Sequence, residues 1–422
     1  MSNYALLIDA KLTPLNPVHP AKARKLLESG KAAVYRRYPF TLILKRAIDH
    51  PNVYPLTLKI DPGSKLTGIA LVTNQQNAIW GMELQHRGQQ IKDAIAHRSR
   101  VRRGRRNRHT RYRQARFLNR FRPQGWLAPS LQHRVLTTTT WVKRLQKFAP
   151  IGAIVLELVK FDTQAIQNPE ISGTQYQQGT LQGYECREYL LEKWNRQCAY
   201  CGAKDMPLEI EHIQPKSKGG SDRISNLCLA CHKCCAKGNQ EIKDFIKSKP
   251  EVLHRLLRQA KTPLKDAAAV NATRWALFNV LKSFQLPVTT GTGGQTKFNR
   301  MQFNLPKAHW IDAACVGVVE TIFLVTTRIL KVKATGFGGR QRCQTNKEGY
   351  PIKHRPLRPI HGFSTGDIVR ADVPKGKYFG TFTARVCPMS HGYGEFVIDK
   401  KRRSIKLEYL TPVHRRDGYD YA

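Results

Sequence analysis

The stretch Leu56-Thr-Leu-Lys-Ile-Asp61-Pro-Gly-Ser64, followed by Gly68-Ile-Ala-Leu-Val72, alternates apolar and polar residues up to a turn and then resumes an apolar run. This pattern predicts a β-hairpin whose first strand ends in a carboxylate. Outward from it, no acidic residue occurs between Ala94 and Leu156, and positions 98 to 122 hold twelve arginines. The next acid, Glu157, closes the apolar run Ile154-Val-Leu-Glu157. A third acid, Asp312, lies three residues after His309 in a segment, Lys307 to Arg328, that reads as a helix; one helical face presents both side chains. A lone acid after a strand is most often a cap or a solvated end. Asp61, Glu157 and Asp312 stand out because they interrupt so basic a chain.

Lysine and arginine number 71 against 30 acidic residues, for a formal charge of +41 and a pI near 10.2. The partner expected for such a chain is a polyanion. The charge is spread along the whole length and not gathered on one amphipathic helix, which favours nucleic acid over a membrane surface. The arginine segment sharpens this: Arg98, Arg102, Arg103, Arg105, Arg106, Arg108, Arg111, Arg113, Arg116 and Arg120 repel one another at helical spacing, so an anion must neutralise them. Guanidinium forks take phosphate in pairs of hydrogen bonds, and Tyr112, Phe117 and Phe121 are interleaved for packing or base stacking. Met1 to Ala10 has no secretory pattern and no run of 18 apolar residues occurs, so the expectation is a soluble protein of the cytoplasm with no membrane partner.

Seven of the ten cysteines fall between Cys186 and Cys235, in CxxC spacings that reducing compartments use for metal. Cys198-Ala-Tyr-Cys201 and Cys231-His-Lys-Cys234 form two knuckles suited to a four-thiolate structural zinc site. Cys228, Cys231 and Cys234 make two overlapping pairs, and the spacing leaves open which pair binds. Between the knuckles lie Leu208-Glu-Ile-Glu-His-Ile213 and Asn226. A strand-borne acid beside a histidine, then an asparagine and a helix, resembles the HNH nuclease family and its ββα-metal fold. The resemblance implies His212 as general base, Glu211 as ligand to a divalent ion, and Asn226 as the residue fixing the loop that orients His212. Where the family usually has a second metal ligand, this chain has Cys235-Ala-Lys-Gly-Asn239, about one residue short; His232 or Asn239 are the candidates to replace it.

The order of Asp61, Glu157 and Asp312 is similar to the RNase H-like pattern, in which gathered carboxylates hold two divalent ions roughly 4 Å apart. The piece Pro14-Leu-Asn-Pro-Val-His-Pro20 opens the chain, and short strand-like runs such as Asp367-Ile-Val-Arg-Ala371 and Gly394-Glu-Phe-Val-Ile398 close it, where a small β-barrel is expected. With a Gln-rich linker over Asp162 to Gln182, this succession of parts resembles the transposon-encoded IscB family along nearly its whole length, a family similar to the two-nuclease effectors of type II CRISPR systems.

The resemblance implies a multidomain α/β protein: a split RNase H-like (RuvC-like) core with an inserted zinc-stapled HNH module, an arginine-rich bridge helix, a small N-terminal domain and a β-rich C-terminal domain. The expected boundaries are 1–53 for the N-terminal domain, 54–92 for the first RuvC-like piece, 93–125 for the bridge helix and 126–182 for the second piece with its linker. The HNH module would occupy 183–245, the third piece 246–334, and the domain contacting target and RNA 335–422. It further implies an RNA-guided DNA endonuclease, with Mg2+ or Mn2+ at both centres, structural Zn2+, a structured non-coding guide RNA and a double-stranded DNA target. This would be a monomeric ribonucleoprotein of the prokaryotic cytoplasm, nucleoid-associated when bound to DNA. Two rivals are an RNA-independent two-centre DNA nuclease of homing or junction-resolving type and a catalytically weakened RNA-binding scaffold.

Overall fold

The structure, a computed structural model, describes residues 2–110, 112, 123, 125–158, 187, 189–191, 193–204, 206–235, 241–247, 249–261, 267–336, 343–348, 350–353, 359–398 and 401–422. The chain opens with β1 (Ala5–Ile8), β2 (Pro14–Val18), α1 (Pro20–Glu28), β3 (Ala32–Arg36) and β4 (Thr41–Leu44), forming one sheet in the order β2-β1-β4-β3. The proline motif has a structural explanation. Pro14 and Pro17 sit on an edge strand, where a missing N–H is tolerated. Pro20 occupies the first turn of α1, and His19 Nδ1 accepts the amide hydrogen of Ala21 at 3.2 Å.

Three antiparallel strands follow, β5 (Leu56–Pro62), β6 (Leu66–Val72) and β7 (Asn77–Gln85), with Asp61 opposite Gly68. Helices α2 (Gly88–Asn107) and α3 (Pro129–Gln146) lead into β8 (Ile151–Glu157), parallel to β5. The chain then enters the cysteine-rich module, with β9 (Leu208–His212), β10 (Leu227–Cys231) and α4 (Pro250–Lys261). It returns as α5 (Ala267–Lys282), β11 (Val288–Gly291), α6 (Gly293–Gln302), α7 (His309–Ala314), β12 (Phe323–Leu324) and β13 (Leu330–Ala334). An eight-stranded sheet runs β11-β8-β5-β6-β7-β13 and then the last strand, Tyr419–Tyr421, with β12 also against β7. One sheet is thus built from segments far apart in sequence, and the cysteine-rich module is an insertion between β8 and β11.

Strand alternation decides what each face of that sheet carries. Leu58 and Ile60 of β5 and Ile154 and Leu156 of β8 are fully buried, against Trp141 and Leu145 of α3 and Leu277 and Leu281 of α5. Each such side chain contributes about 1.5–3 kcal/mol of burial. The intervening residues, Lys59, Asp61, Val155 and Glu157, must point to the opposite face. There α7 packs, with Trp310 and Ile311 against Ala70, Val72 and Ala78, and Lys59 Nζ donates to the carbonyl of Val316 at 3.1 Å.

Three expectations need revision. The helix predicted over Lys307 to Arg328 is only the six-residue α7, because Gly317 takes a left-handed φ of +83° and the chain leaves as extended backbone. The arginine-rich helix begins at Gly88, ahead of residue 93, and Arg111, Arg113, Arg116 and Arg120 lie outside the described residues. Among the described residues the C-terminal region forms two three-stranded antiparallel sheets, centred on Ile368–Val373 and Tyr393–Ile398, with no pairing between them, and a two-stranded ladder of Gln344–Thr345 with Pro351–Lys353, in place of the single small barrel expected. The two three-stranded sheets share one core that includes Val369, Ala371, Phe396 and Ile405.

The chain's two ends are tied to the central sheet. Asp417 takes ion pairs from Arg36 at 3.1 Å and Arg144 at 3.0 Å and also accepts from the Tyr421 hydroxyl, while Tyr38 stacks on Tyr421 with centroids 4.2 Å apart.

Candidate active sites

The parallel register pairs Lys59 with Val155 and Ile60 with Leu156, which sets Asp61 beside Glu157 at the same end of the sheet. Both carboxylates are buried, at 8% and 7% exposure. Helix α7 crosses this end and brings in the third acid and the histidine: His309 Nδ1 lies 3.8 Å from Asp61 Oδ2. Its close approach depends on Gly68, where a Cβ would fall 1.8 Å from the His309 carbonyl oxygen. The structure therefore gathers Asp61, Glu157, His309 and Asp312.

Crowding of like charge leaves its mark on these groups. Burial, and then the neighbouring Asp61 carboxylate, pushes the Glu157 carboxyl well above the usual carboxylate range. The same causes raise Asp312 to about 6. Asp61 in turn raises His309, favouring its protonated form. Gathered, buried oxygen donors that resist ionising together suit hard divalent cations, which would offset their repulsion. Two arginines that spacing does not single out already stand among them. Arg274 of α5 pairs with Glu157 at 2.9 Å and approaches Asp61 at 3.9 Å, and Arg300 of α6 pairs with Asp312 at 2.9 Å.

The second site lies in the cysteine-rich module, which has its own core of Trp194, Tyr200, Leu208, Leu227, Leu229 and Leu256. Leu256 belongs to α4, so the packed module extends past residue 245. Cys198, Cys201, Cys231 and Cys234 place their sulfurs within 4.8 Å of one another, a donor set that could hold zinc. Cys228 is not part of this group: it is fully buried and its thiol donates to the Tyr200 hydroxyl at 3.5 Å. Side-chain alternation on β10 turns it away from its neighbours in the motif.

In the β9–β10 ladder His212 faces Leu227 and Glu211 faces Cys228, with the short helix His232–Cys235 following directly. Glu211 Oε2 accepts from the Tyr200 hydroxyl at 3.1 Å. His212 Nε2 is 2.8 Å from Asp222 Oδ1, and Asp222 is also paired with Lys216 at 2.8 Å. Asn226 binds the intervening loop, accepting from Gln214 N at 2.9 Å and donating to the carbonyls of Gln214 and Ser221 at 3.0 and 2.9 Å. His232 stands 3.8 Å from Glu209, and Asn239 lies outside the described residues. Asp222 and Tyr200 escape a reading based on spacing, since loop conformation brings one to His212 and core packing brings the other to Glu211.

Of the bridge arginines, Arg98, Arg102, Arg103 and Arg105 are exposed on α2, Arg106 is partly covered, and Arg108 caps the helix. Gly88 is the one buried residue of α2. No helix among the described residues is long and apolar enough to cross a membrane.

Residues 5–179 match the family model of the RRXRR protein, a span that includes Asp61, α2 and Glu157. Residues 198–240 match the HNH endonuclease model and enclose the four clustered cysteines, Glu211, His212 and Asn226. Among solved structures the chain is similar to Streptococcus thermophilus Cas9 in complex with the GGAA PAM, with 12% identity and a TM-score of 0.22. The same protein in complex with the AGAA PAM gives 12% identity and a TM-score of 0.24. Each alignment covers 61% of this chain and 32% of the Cas9 chain, so this chain spans about a third of the length of those proteins. No curated protein matches it.

Proposed function

We propose that this chain, an IscB/Cas9-like HNH nuclease that hydrolyses phosphodiester bonds, is directed to double-stranded DNA by a bound structured RNA and cuts each strand at a separate centre. The observation that carries this is the insertion of one site into the other: the module bearing Glu211 and His212 leaves the sheet after Glu157 and returns before Asp312. Two chemically distinct hydrolytic sites on one polypeptide suit a substrate with two strands.

The roles follow from the residues. Asp61, Glu157 and Asp312 belong to a RuvC-like centre and hold Mg2+ or Mn2+, with His309 as base or orienting group, for the displaced strand. In the HNH centre His212 takes the proton of the attacking water, Glu211 and Asn239 serve the divalent ion, and Asn226 holds the loop; this centre cuts the guide-paired strand. A bound divalent ion supplies charge neutralisation at the phosphate and a more acidic water. The four clustered cysteines bind Zn2+ and hold the module together. A helix such as α2, with its arginines turned to solvent, is suited to lie along an RNA or heteroduplex backbone. The acting particle is a monomeric ribonucleoprotein of the prokaryotic cytoplasm.

The test is Mg2+-dependent cleavage of a strand-labelled duplex by protein co-expressed with its neighbouring non-coding locus. Cutting of both strands is expected only when RNA is present, and RNA-independent cutting would sink the guided reading. A wild type that nicks one strand, with no change on His212→Ala, would mean that the Cys235 departure has silenced the HNH site.

Gly68→Ala provides a separate check on the acidic centre. The added methyl must push the start of α7 back from β6, carrying His309 and Asp312 with it. A displacement on the order of 1 Å costs about 10²-fold in rate. Displaced-strand cutting should fall by that amount while paired-strand cutting is retained; equal loss on both strands would contradict the assignment.

A further inference from the structure

The acidic centre contains a cation of its own. Arg274 is 9% exposed, and its Nε donates to the carbonyl of Pro62 at 3.0 Å, directly after Asp61. Its Nη2 lies 2.9 Å from Glu157 Oε1 and 3.9 Å from Asp61 Oδ1. The guanidinium therefore reaches both neighbouring carboxylates from one side, fixed by three contacts. Leu277 and Leu281 of the same helix are locked in the core of the sheet, so its Cα cannot drift far. An arginine cannot shed its charge at any working pH. It engages the same carboxylates that a divalent ion would need, so arginine and metal are alternatives there.

We propose that Arg274 is the resident counter-ion of the carboxylate centre, competing with divalent metal for Glu157 and Asp61, so that metal loads only when the guanidinium leaves them. This rests on the reading of Asp61, Glu157 and Asp312 as a divalent-ion centre. An entering phosphodiester gives the displaced guanidinium a new partner, because an arginine fork takes phosphate oxygens as readily as carboxylate. Substrate arrival and metal loading are thereby coupled, and the centre stays poorly metallated while no strand is present.

The experiment is Mn2+ titration of the full chain, followed by electron paramagnetic resonance, in a Glu211→Ala background that removes the assigned ligand of the other centre. The component lost on Asp61→Ala is the signal of interest. Without DNA, Arg274→Gln should bind that Mn2+ about tenfold or more tightly than the parent, the loss of one charge-assisted contact being of that size. Arg274→Lys, which keeps the charge but cannot fork across both acids, should fall between the two and remains the test if the glutamine variant misfolds. Unchanged or weaker binding in these variants, with the Asp61-dependent component present, overturns the counter-ion role and leaves the centre's assignment standing. Mn2+ binding that Asp61→Ala does not alter overturns both.

Discussion

Replacing Asp61 with alanine is expected to lower cutting of the displaced strand by about 10³-fold or more, a transition-state loss of ~4 kcal/mol. Single-turnover rates of the ribonucleoprotein on a strand-labelled duplex in Mg2+ measure it. Asp61 lies at the end of the central strand of the site, beside Glu157 and within 3.8 Å of His309, where its carboxylate is the one shared by both neighbours. The fold should survive. Asp61 is one of the charges that raise both Glu157 and Asp312, and its removal relieves like-charge repulsion in a buried cluster. The unfolding temperature should therefore stay close to that of the parent, which separates a chemical loss from a structural one. Paired-strand cutting should persist in Asp61→Ala and vanish in His212→Ala. Normal displaced-strand cutting by Asp61→Ala would remove the acidic centre from the mechanism.

The same centre has a definite sign of pH dependence. An acid with a raised pKa is protonated, and so a poor cation ligand, below that value. With Asp312 at about 6 and Glu157 also raised, displaced-strand cutting should fall as the pH drops through this range. Additional Mg2+ should restore part of it, because protons and metal compete for the same oxygens.

Cys198→Ser is expected to have the largest effect on folding. Structural zinc sites contribute about 10–16 kcal/mol of apparent binding energy, comparable with the whole stability of a domain at about 5–15 kcal/mol. The module's described core is a separate cluster from that of the sheet, so it should unfold alone. Zinc content should fall from one ion per chain toward none, protease should cut within residues 187–261, and paired-strand cutting should disappear. Cys228→Ala is the discriminating control. Its sulfur lies outside the four-cysteine group and makes a weak contact with Tyr200, so zinc should be retained at a cost of about 1–2 kcal/mol. Zinc loss from Cys228→Ala, or full zinc in Cys198→Ser, would overturn the ligand assignment.

Several features of this protein are legible in the residues alone because they are local. Alternation over Leu56 to Asp61 predicts the strand and its terminal acid, and the RRXRR and HNH matches bear out the resemblance drawn from the order of motifs. The Glu211-His212 pair and the CxxC knuckles announce themselves by spacing. Even within those motifs spacing does not choose between Cys228 and its neighbours, since the choice turns on which face of β10 each sulfur occupies. The early end of α7 at Ala314, ahead of the left-handed Gly317, is not legible in the residues because the apolar run beyond it is as compatible with a buried turn as with a helix.

The rest belongs to tertiary structure. Arg274 is separated from Glu157 by 117 positions, and Asp222 reaches His212 through a loop. Periodicity and spacing register neighbours along the chain, within a few turns of helix or a hairpin. The sequence therefore determined which chemical groups this protein owns and on what local element each one sits. Only the packing of α5 and α7 against the sheet decided which of those groups meet, because contacts across such distances arise from burial of shared apolar faces, and those faces carry no address for their partners.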